Sequence, residues 1–418
     1  MTNSRVIRWG ACLAALAVLT ACGSSTGGSS TASSGAASGS SSSSSDPFGT
    51  PNKATGTPIT VGVINLELGA VTFPMYRQGI EAAIQYVNEY KGGLGGHPIK
   101  LVNCATDAQP ATSQRCANQI VDEKPAFVFG GGDPGAPGSV PVWERANLAM
   151  VGGLNFTPVE SNYKNGVIFS AISGADNAAT TTYASQQGAK SASIIYTSNT
   201  QGTHAGQLIV GYATALGMKP VNEVPVPETA ADVSTQAATV VTQKPDFAFV
   251  NTPVGCASML KSLNQLGYTG LVGVIDPCTD PRTIQAAGAG ANGMFWGSPV
   301  ELPNTSADST LFAQIVAKWA PDAPLTSLTA IGVQTVLNAQ SKLSGIADSL
   351  TTDSILQAFR SGKDNPNFMG HPYTCDGKQL PGSTSVCNAY QRIFTYKDGK
   401  STQLADWIDP APVMSGTP

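Results

Sequence analysis

From Pro58 onward the chain alternates short apolar runs with helical stretches, and this limits the folds open to it more than any other feature. Ile59–Leu66 is an apolar run of strand length. Tyr76–Tyr90 follows, with Ile80, Ile84 and Val87 at helical spacing, until Gly92 and Gly93 stop it. The order then runs strand Ile99–Cys104, helix Ser113–Lys124, strand Ala126–Phe129, helix Val140–Ala146 and strand Leu148–Val151. Such repetition predicts a mostly parallel sheet with helices on both faces. After a less regular stretch the pattern restarts with strands Ser193–Tyr196, Val221–Val226, Phe247–Val250 and Val272–Ile275. Helices His204–Leu216, Val233–Thr242 and Ser258–Leu266 lie between them. Two such blocks predict two α/β lobes. Helical patterns return at Leu311–Trp319, Ile331–Leu343 and Ile355–Phe359. The late strand Tyr390–Tyr396 ends in the turn Lys397-Asp398-Gly399, and the tail 411–418 is expected to be loose.

The N-terminus predicts an export route. Arg5 and Arg8 precede an apolar run from Ala11 to Leu19, and Leu19-Thr20-Ala21-Cys22 follows. A charged start, a short apolar stretch and small residues before a cut site describe an export signal over 1–21. The run is too short to span a bilayer, which takes about 20 apolar residues. The tetrapeptide resembles a bacterial lipoprotein box, which implies that Cys22 is lipidated and becomes the first mature residue. Residues 23–45 are only Ser, Gly, Ala and Thr, so a flexible linker is expected over 22–57. A membrane contact through the lipid alone, on the extracytoplasmic face, is the resulting expectation.

Of the eight cysteines, Cys12 leaves with the signal and Cys22 takes the lipid. The rest fall as neighbours: Cys104 with Cys116, Cys256 with Cys278, and Cys375 with Cys387. In an exported protein disulfides are the default, and proximity favours the sequential pairing. Zinc is the competing reading, but no C-x-x-C or H-x-x-x-H spacing occurs, so no metal and no cofactor are expected. The net charge of -4 lacks the basic bias that nucleic acid requires. Catalysis finds no support either. G-x-S-x-G, H-E-x-x-H and the P-loop are missing, and His97, His204 and His371 are scattered.

Several segments together carry a family resemblance. They are ITVGVINLELGA at the first strand, RQGIEAAIQYVNEYKGGLGGHPIKLVNC across the first helix and second strand, AFVFGGGDPGAP at the third, QLGYTGLVGVID, and the closing YTCDGKQLPG with RIFTYKDGK. From Pro58 to Trp407 the chain resembles type I periplasmic solute-binding proteins of the branched-chain amino-acid branch, which serve ABC importers. The resemblance implies two Rossmann-like lobes joined by three hinge crossovers, with a ligand cleft between. Lobe one would be 58–170 plus 299–388, and lobe two 171–298 plus 389–410. It also implies a small polar solute (an amino acid, amide or other carboxylate) and an importer permease as partners. A surface sensor signalling to a receptor shares this fold and is the alternative.

Ligands of open α/β sheets bind outside the carboxyl ends of the strands. In lobe one that places Gly131, Gly132 and Asp133, together with Asn155, Phe156 and Thr157, at the site. Tyr76 and Phe73 either wall the pocket or, for Tyr76, pack on the core. In lobe two the tips carry Asn199, Gln201, Asn251, Thr252 and Asp276. Gly130–Gly135 matches G-x-G-x-x-G, but Pro134 and Pro137 crowd the loop and no acid ends the next strand, so a dinucleotide is not expected. The resemblance implies that an acid of lobe two takes a solute ammonium, and Asp276 stands at that place. Capping the turn into Pro277 is its competing role.

Overall fold

The computed structural model describes residues 46–416 apart from 70, 172, 173 and 231. The export signal, Cys22 and the Ser/Gly segment through residue 45 lie outside the described residues, as do 417 and 418.

The apolar runs pair into two sheets. β1 (Ile59–Leu66), β2 (Ile99–Thr106), β3 (Phe127–Gly132), β4 (Met150–Gly152) and β5 (Gly166–Ile168) form a parallel sheet in the order β2-β1-β3-β4-β5. The second sheet holds β6 (Ala192–Thr197), β7 (Val221–Val226), β8 (Phe247–Asn251), β9 (Leu271–Val274), β10 (Phe295–Ser298), β11 (Gln391–Lys397) and β12 (Lys400–Ile408). Its order is β12-β11-β10-β9-β8-β6-β7, and β11 runs antiparallel to both neighbours. Every residue of β3 and β8 is buried, because helices cover both faces. A strand in that position carries a continuous apolar run rather than an alternation.

Each sheet has its own core. The first draws on Val61 to Phe169 and again on Val300 to Cys387, the second on Ala179 to Leu302 and again on Ile393 to Ile408. The chain therefore passes between lobes three times: after β5, after β10 and before β11. Two α/β lobes joined by three crossings are what the sequence resemblance implies. The helices Pro74–Tyr90 and Ser327–Leu343 meet backbone to backbone. A Cβ on Gly79 would lie 2.3 Å from the Thr329 carbonyl oxygen, and one on Gly332 would lie 2.3 Å from that of Tyr76. Only glycine allows this approach, and it sets the amino-terminal turns of the two helices side by side. The three disulfides join Cys104 to Cys116, Cys256 to Cys278 and Cys375 to Cys387, in the sequential pattern.

Some expectations change. The linker drawn to residue 57 is too long, because residues 48–56 pack on the first lobe. Phe48 sits among Tyr86, Tyr90 and Trp319, and Ala54 is buried with its N–H donated to the Asn88 carbonyl. The tail is ordered over Ala411–Met414, a short helix whose Val413 is buried with Ala178 and Tyr212. Helix Ala175–Gln186 fills the stretch that reads as irregular. Thr180, Thr181 and Thr182 each bond back to a carbonyl four residues earlier, and alanine supplies its buried face, so it shows no marked apolar stripe. β5, β10 and β12 also escape the sequence pattern: the first two are three and four residues long, and β12 is a mostly exposed edge.

Candidate functional site

The polar groups at the tips of the first sheet are turned into the protein. β3 continues through Gly130–Gly132, so these glycines are strand rather than loop. Gly131 has φ +100° and its Cα faces the Leu154 carbonyl, where a Cβ would come within 2.2 Å. Asp133 is buried. Its Oδ1 accepts from Ser113 Oγ and the Gly135 N–H, both at 2.8 Å, and its Oδ2 from Ser139 Oγ at 3.1 Å. Asn155 is fully buried and donates to Ser161 Oγ at 2.6 Å. Thr157 caps the helix Pro158–Ser161 in a reciprocal capping box with Glu160, whose Oε2 accepts from the N–H groups of Phe156 and Thr157. Tyr76 belongs to the core, with its hydroxyl donated to the Gly130 carbonyl at 2.6 Å. What the first lobe does show the cleft is mostly apolar, with Thr72 and Thr326 among the apolar residues. Phe73 lines it and stacks on Phe156 at 5.8 Å, with Val71, Met75 and Leu328 alongside.

The second lobe presents the opposite chemistry. Asn251 ends β8 and Thr252 follows it, and both are buried. Asn251 Nδ2 and Thr252 Oγ1 have no hydrogen-bond partner, and neither has Asp176 Oδ1, in the first turn of Ala175–Gln186. A sealed polar atom without a partner costs roughly 1–3 kcal/mol, and the first lobe holds such atoms too, Asn65 Oδ1 near the tip of β1 and Tyr373 Oη among them. Asp276 opens the single turn Asp276–Thr279 after β9, and its Oδ1 accepts from Ser327 Oγ at 2.7 Å. Asn199 and Gln201 do not join this group. Asn199 caps Thr200–Ala215 and donates to Glu228, while Gln201 is exposed on the first turn of that helix.

Between the lobes lies a cavity of about 480 Å³, within the size range of small-molecule sites. Its first-lobe wall runs from Val71 to Met75 and includes Thr326 and Leu328. Its second-lobe wall holds Pro253, Val254, Ala257, Asp276 and Thr279, with Asp280 and Arg282 paired beside them. The Cys256–Cys278 disulfide ties together the two segments that supply this wall. A hollow of about 590 Å³ at the amino-terminal ends of β8 and β9 is the wrong end of the sheet for a solute. Its one carboxylate, Asp246, is already taken by Lys190 and Ser191.

Burial makes the carboxylates around the cleft reluctant to ionise. Desolvation lifts Asp276 above the usual carboxylate range, against the Ser327 hydrogen bond. Desolvation pushes Asp176 up to about 7, with repulsion from Asp276 adding to it. Glu160 is likewise pushed up to about 7 by burial, and burial raises Asp133. The sequence reading missed Asp176, Ser327 and the apolar lip residues Val71 and Val254. Asp176 follows Gly174 at a helix start, a signal that was there to be read. Nothing in the sequence pairs Ser327 with Asp276, 51 residues away.

Three comparisons bear on this geometry. The model of a family described as periplasmic binding protein matches residues 58–385. No curated protein matches the chain by sequence. Among solved structures, the leucine-binding protein LivK of Thermotoga maritima is 18% identical with a TM-score of 0.70, over 84% of this chain and 99% of that one. The branched-chain amino-acid transporter substrate-binding protein LivJ of Streptococcus pneumoniae, solved with isoleucine, is 15% identical at 0.70, over 84% and 100%. An ABC-transporter solute-binding protein of Rhodopseudomonas palustris, solved with 3,4-dihydroxybenzoic acid, is 19% identical at 0.70, over 85% and 98%. At these identities the likeness is one of fold.

Proposed function

The chain belongs to the periplasmic binding protein family, and we propose that it is the extracytoplasmic component that delivers a small polar solute to an ABC importer. Proteins of this family bind solutes and are not enzymes. One observation carries the reading for this chain: a cavity between two lobes, lined by Phe73 and Leu328 on the first-lobe side and by the carboxylate of Asp276 on the second. Closure of the lobes buries a solute against Asp276, and hinge closure is the usual motion of two-lobed binders.

In this reading Asp276 takes a protonated amine of the solute, since a buried charge left unpaired is costly. Asn251 and Thr252 bond its remaining polar groups, and Phe73 with Phe156 forms the apolar floor. Asp133, Asn155, Thr157, Tyr76 and Asn199 shape the walls from behind, and Gly131 and Gly132 let the strand tip lie close to Leu154 and Tyr76. The lobes divide at 58–170 with 299–388 and at 171–298 with 389–410. A thermal-shift screen of amino acids, amides and aromatic acids, repeated with Asp276→Ala, tests the assignment. Stabilisation by an amine-bearing solute that the substitution abolishes is expected. An amine-bearing hit that survives it removes the Asp276 contact, and stabilisation by acids alone overturns the amine.

Attachment through a lipid on Cys22 completes the proposal and rests on the Leu19–Cys22 box. Among the described residues no helix is long and apolar enough to cross a membrane. Detergent partitioning checks this: the wild type is expected in the detergent phase and Cys22→Ala in the aqueous one. Equal partitioning refutes the anchor.

A further inference from the structure

Asp276 and Ser327 stand on opposite walls of the cleft. Asp276 follows β9 of the second sheet, and Ser327 is the first residue of Ser327–Leu343, which packs along the first core. The 2.7 Å hydrogen bond from Ser327 Oγ to Asp276 Oδ1 therefore crosses from one lobe to the other. Ser327 is 2% exposed, so its hydroxyl has little access to water. Asp276 lines the cavity, and no described residue donates a hydrogen bond to its Oδ2. Thr326, at the N-cap of the same helix, makes no side-chain cap, which leaves first-turn N–H groups and the positive end of a 17-residue helix beside the carboxylate.

We propose that Ser327 is a positioning and specificity-determining residue of the cleft: it holds one oxygen of Asp276 from the opposite lobe and so aims the other at a protonated amine of the solute. The inference deepens the solute-binding reading above and rests on it. A carboxylate with one oxygen pinned loses the freedom to swing away from the solute, and a charge-assisted bond to an amine is strong only when it is aimed. Because the pinning group belongs to the other lobe, opening the cleft breaks the bond and frees the side chain. Recognition of the amine and closure of the lobes then draw on one contact. An amine stabilises the ionised Asp276 that Ser327 holds, and so favours the closed arrangement over the open one.

The test uses the mature protein with three matched probes: leucine, isoamylamine (leucine without its carboxylate) and isocaproate (leucine without its amine). Calorimetry on the wild type is expected to show the two amines binding at least about tenfold tighter than the acid. Ser327→Ala should erase that preference, and Ser327→Thr, which keeps the hydroxyl, should restore it. Asp276→Asn keeps an acceptor for Ser327 while removing the charge, and should lose the preference without opening the lobes. Solute-free small-angle scattering reads the contact by itself: Ser327→Ala should have a larger radius of gyration than wild type, Ser327→Thr and Asp276→Asn should not. An unchanged preference in Ser327→Ala overturns the positioning role, and an unchanged radius overturns the cross-lobe contact. Wild-type protein that binds only isocaproate, or none of the three, overturns the amine assignment. Failure in the broader screen as well would remove solute binding itself.

Discussion

The candidate residues at the strand tips of the two lobes differ in how they spend their hydrogen bonds. On the first lobe, Asp133, Asn155, Thr157 and Tyr76 all spend their polar atoms inside the protein, on Ser113, Ser161, Glu160 and the Gly130 carbonyl. On the second, Asn251, Thr252 and Asp176 keep buried atoms with no partner, and Asp276 keeps one oxygen free. A polar residue near a cleft is thus weak evidence of ligand contact. A polar residue near a cleft whose hydrogen-bonding capacity is unspent is strong evidence, because that capacity is expensive to bury unused. In the proposed reading the second lobe supplies the carboxylate that meets the solute, and the first supplies the apolar floor and the serine that aims that carboxylate.

The largest effect that sharpens this contrast is in the disulfides. The Cys256→Ala/Cys278→Ala double variant should lose roughly 3 kcal/mol of stability and also bind solute more weakly, since the bond ties both segments of the polar wall. The Cys375→Ala/Cys387→Ala variant should lose a similar amount of stability with its affinity unchanged. Denaturant unfolding and calorimetry on both variants would separate them; equal loss of affinity would break the contrast between the walls.

Threonine substitutions probe it at a smaller scale. Thr252→Val removes a hydroxyl that has no partner in the solute-free protein, so stability should stay within about 0.5 kcal/mol while affinity falls by about tenfold. Thr157→Val removes a helix cap and should cost about 1 kcal/mol with affinity kept. The reverse pattern, affinity lost at Thr157 and kept at Thr252, would exchange the roles of the lobes.

The smallest effect is in pH. Glu160 and Asp176, with ordinary values of 4.5 and 3.8, are both held near 7 by burial. Between those limits the folded protein keeps protons that the unfolded chain has lost, so stability falls as pH rises through that window. Above about 7 both states are ionised and these groups contribute no further slope. The thermal midpoint should therefore decline from pH 5 to pH 8. Glu160→Gln and Asp176→Asn should each flatten the decline by about 2 °C, and only Asp176→Asn, which stands near Asp276, should also weaken solute binding. A midpoint curve unaffected by either substitution would show that these carboxylates ionise freely in the folded protein.

The alternating runs from Ile59 to Ile275 made the two α/β lobes legible, since a strand buried on both faces must be apolar along its length and a covering helix apolar on one side. The neighbouring cysteines made the disulfides legible in the same local way. Short or edge strands such as β10 and β12 were not, because four residues carry no period and a mostly exposed edge carries no apolar signal. Asp276, with Asn251 and Thr252, was proposed from its place at a strand tip.

What the sequence determined by itself was the set of strand tips from which the site had to be drawn, because parallel β/α order dictates which ends of the strands face a ligand. Which tips still had hydrogen bonds to offer was decided only by the tertiary structure. Asp133 and Asp276 are the same residue type at the tips of β3 and β9. One meets Ser113, Gly135 and Ser139 in its own lobe and is satisfied; the other meets a single serine across the cleft and keeps an oxygen free. That outcome depends on the glycine contact that seats Ser327–Leu343 against Pro74–Tyr90 and thereby puts Ser327 at the cleft. It is a long-range packing event, and no local pattern encodes it.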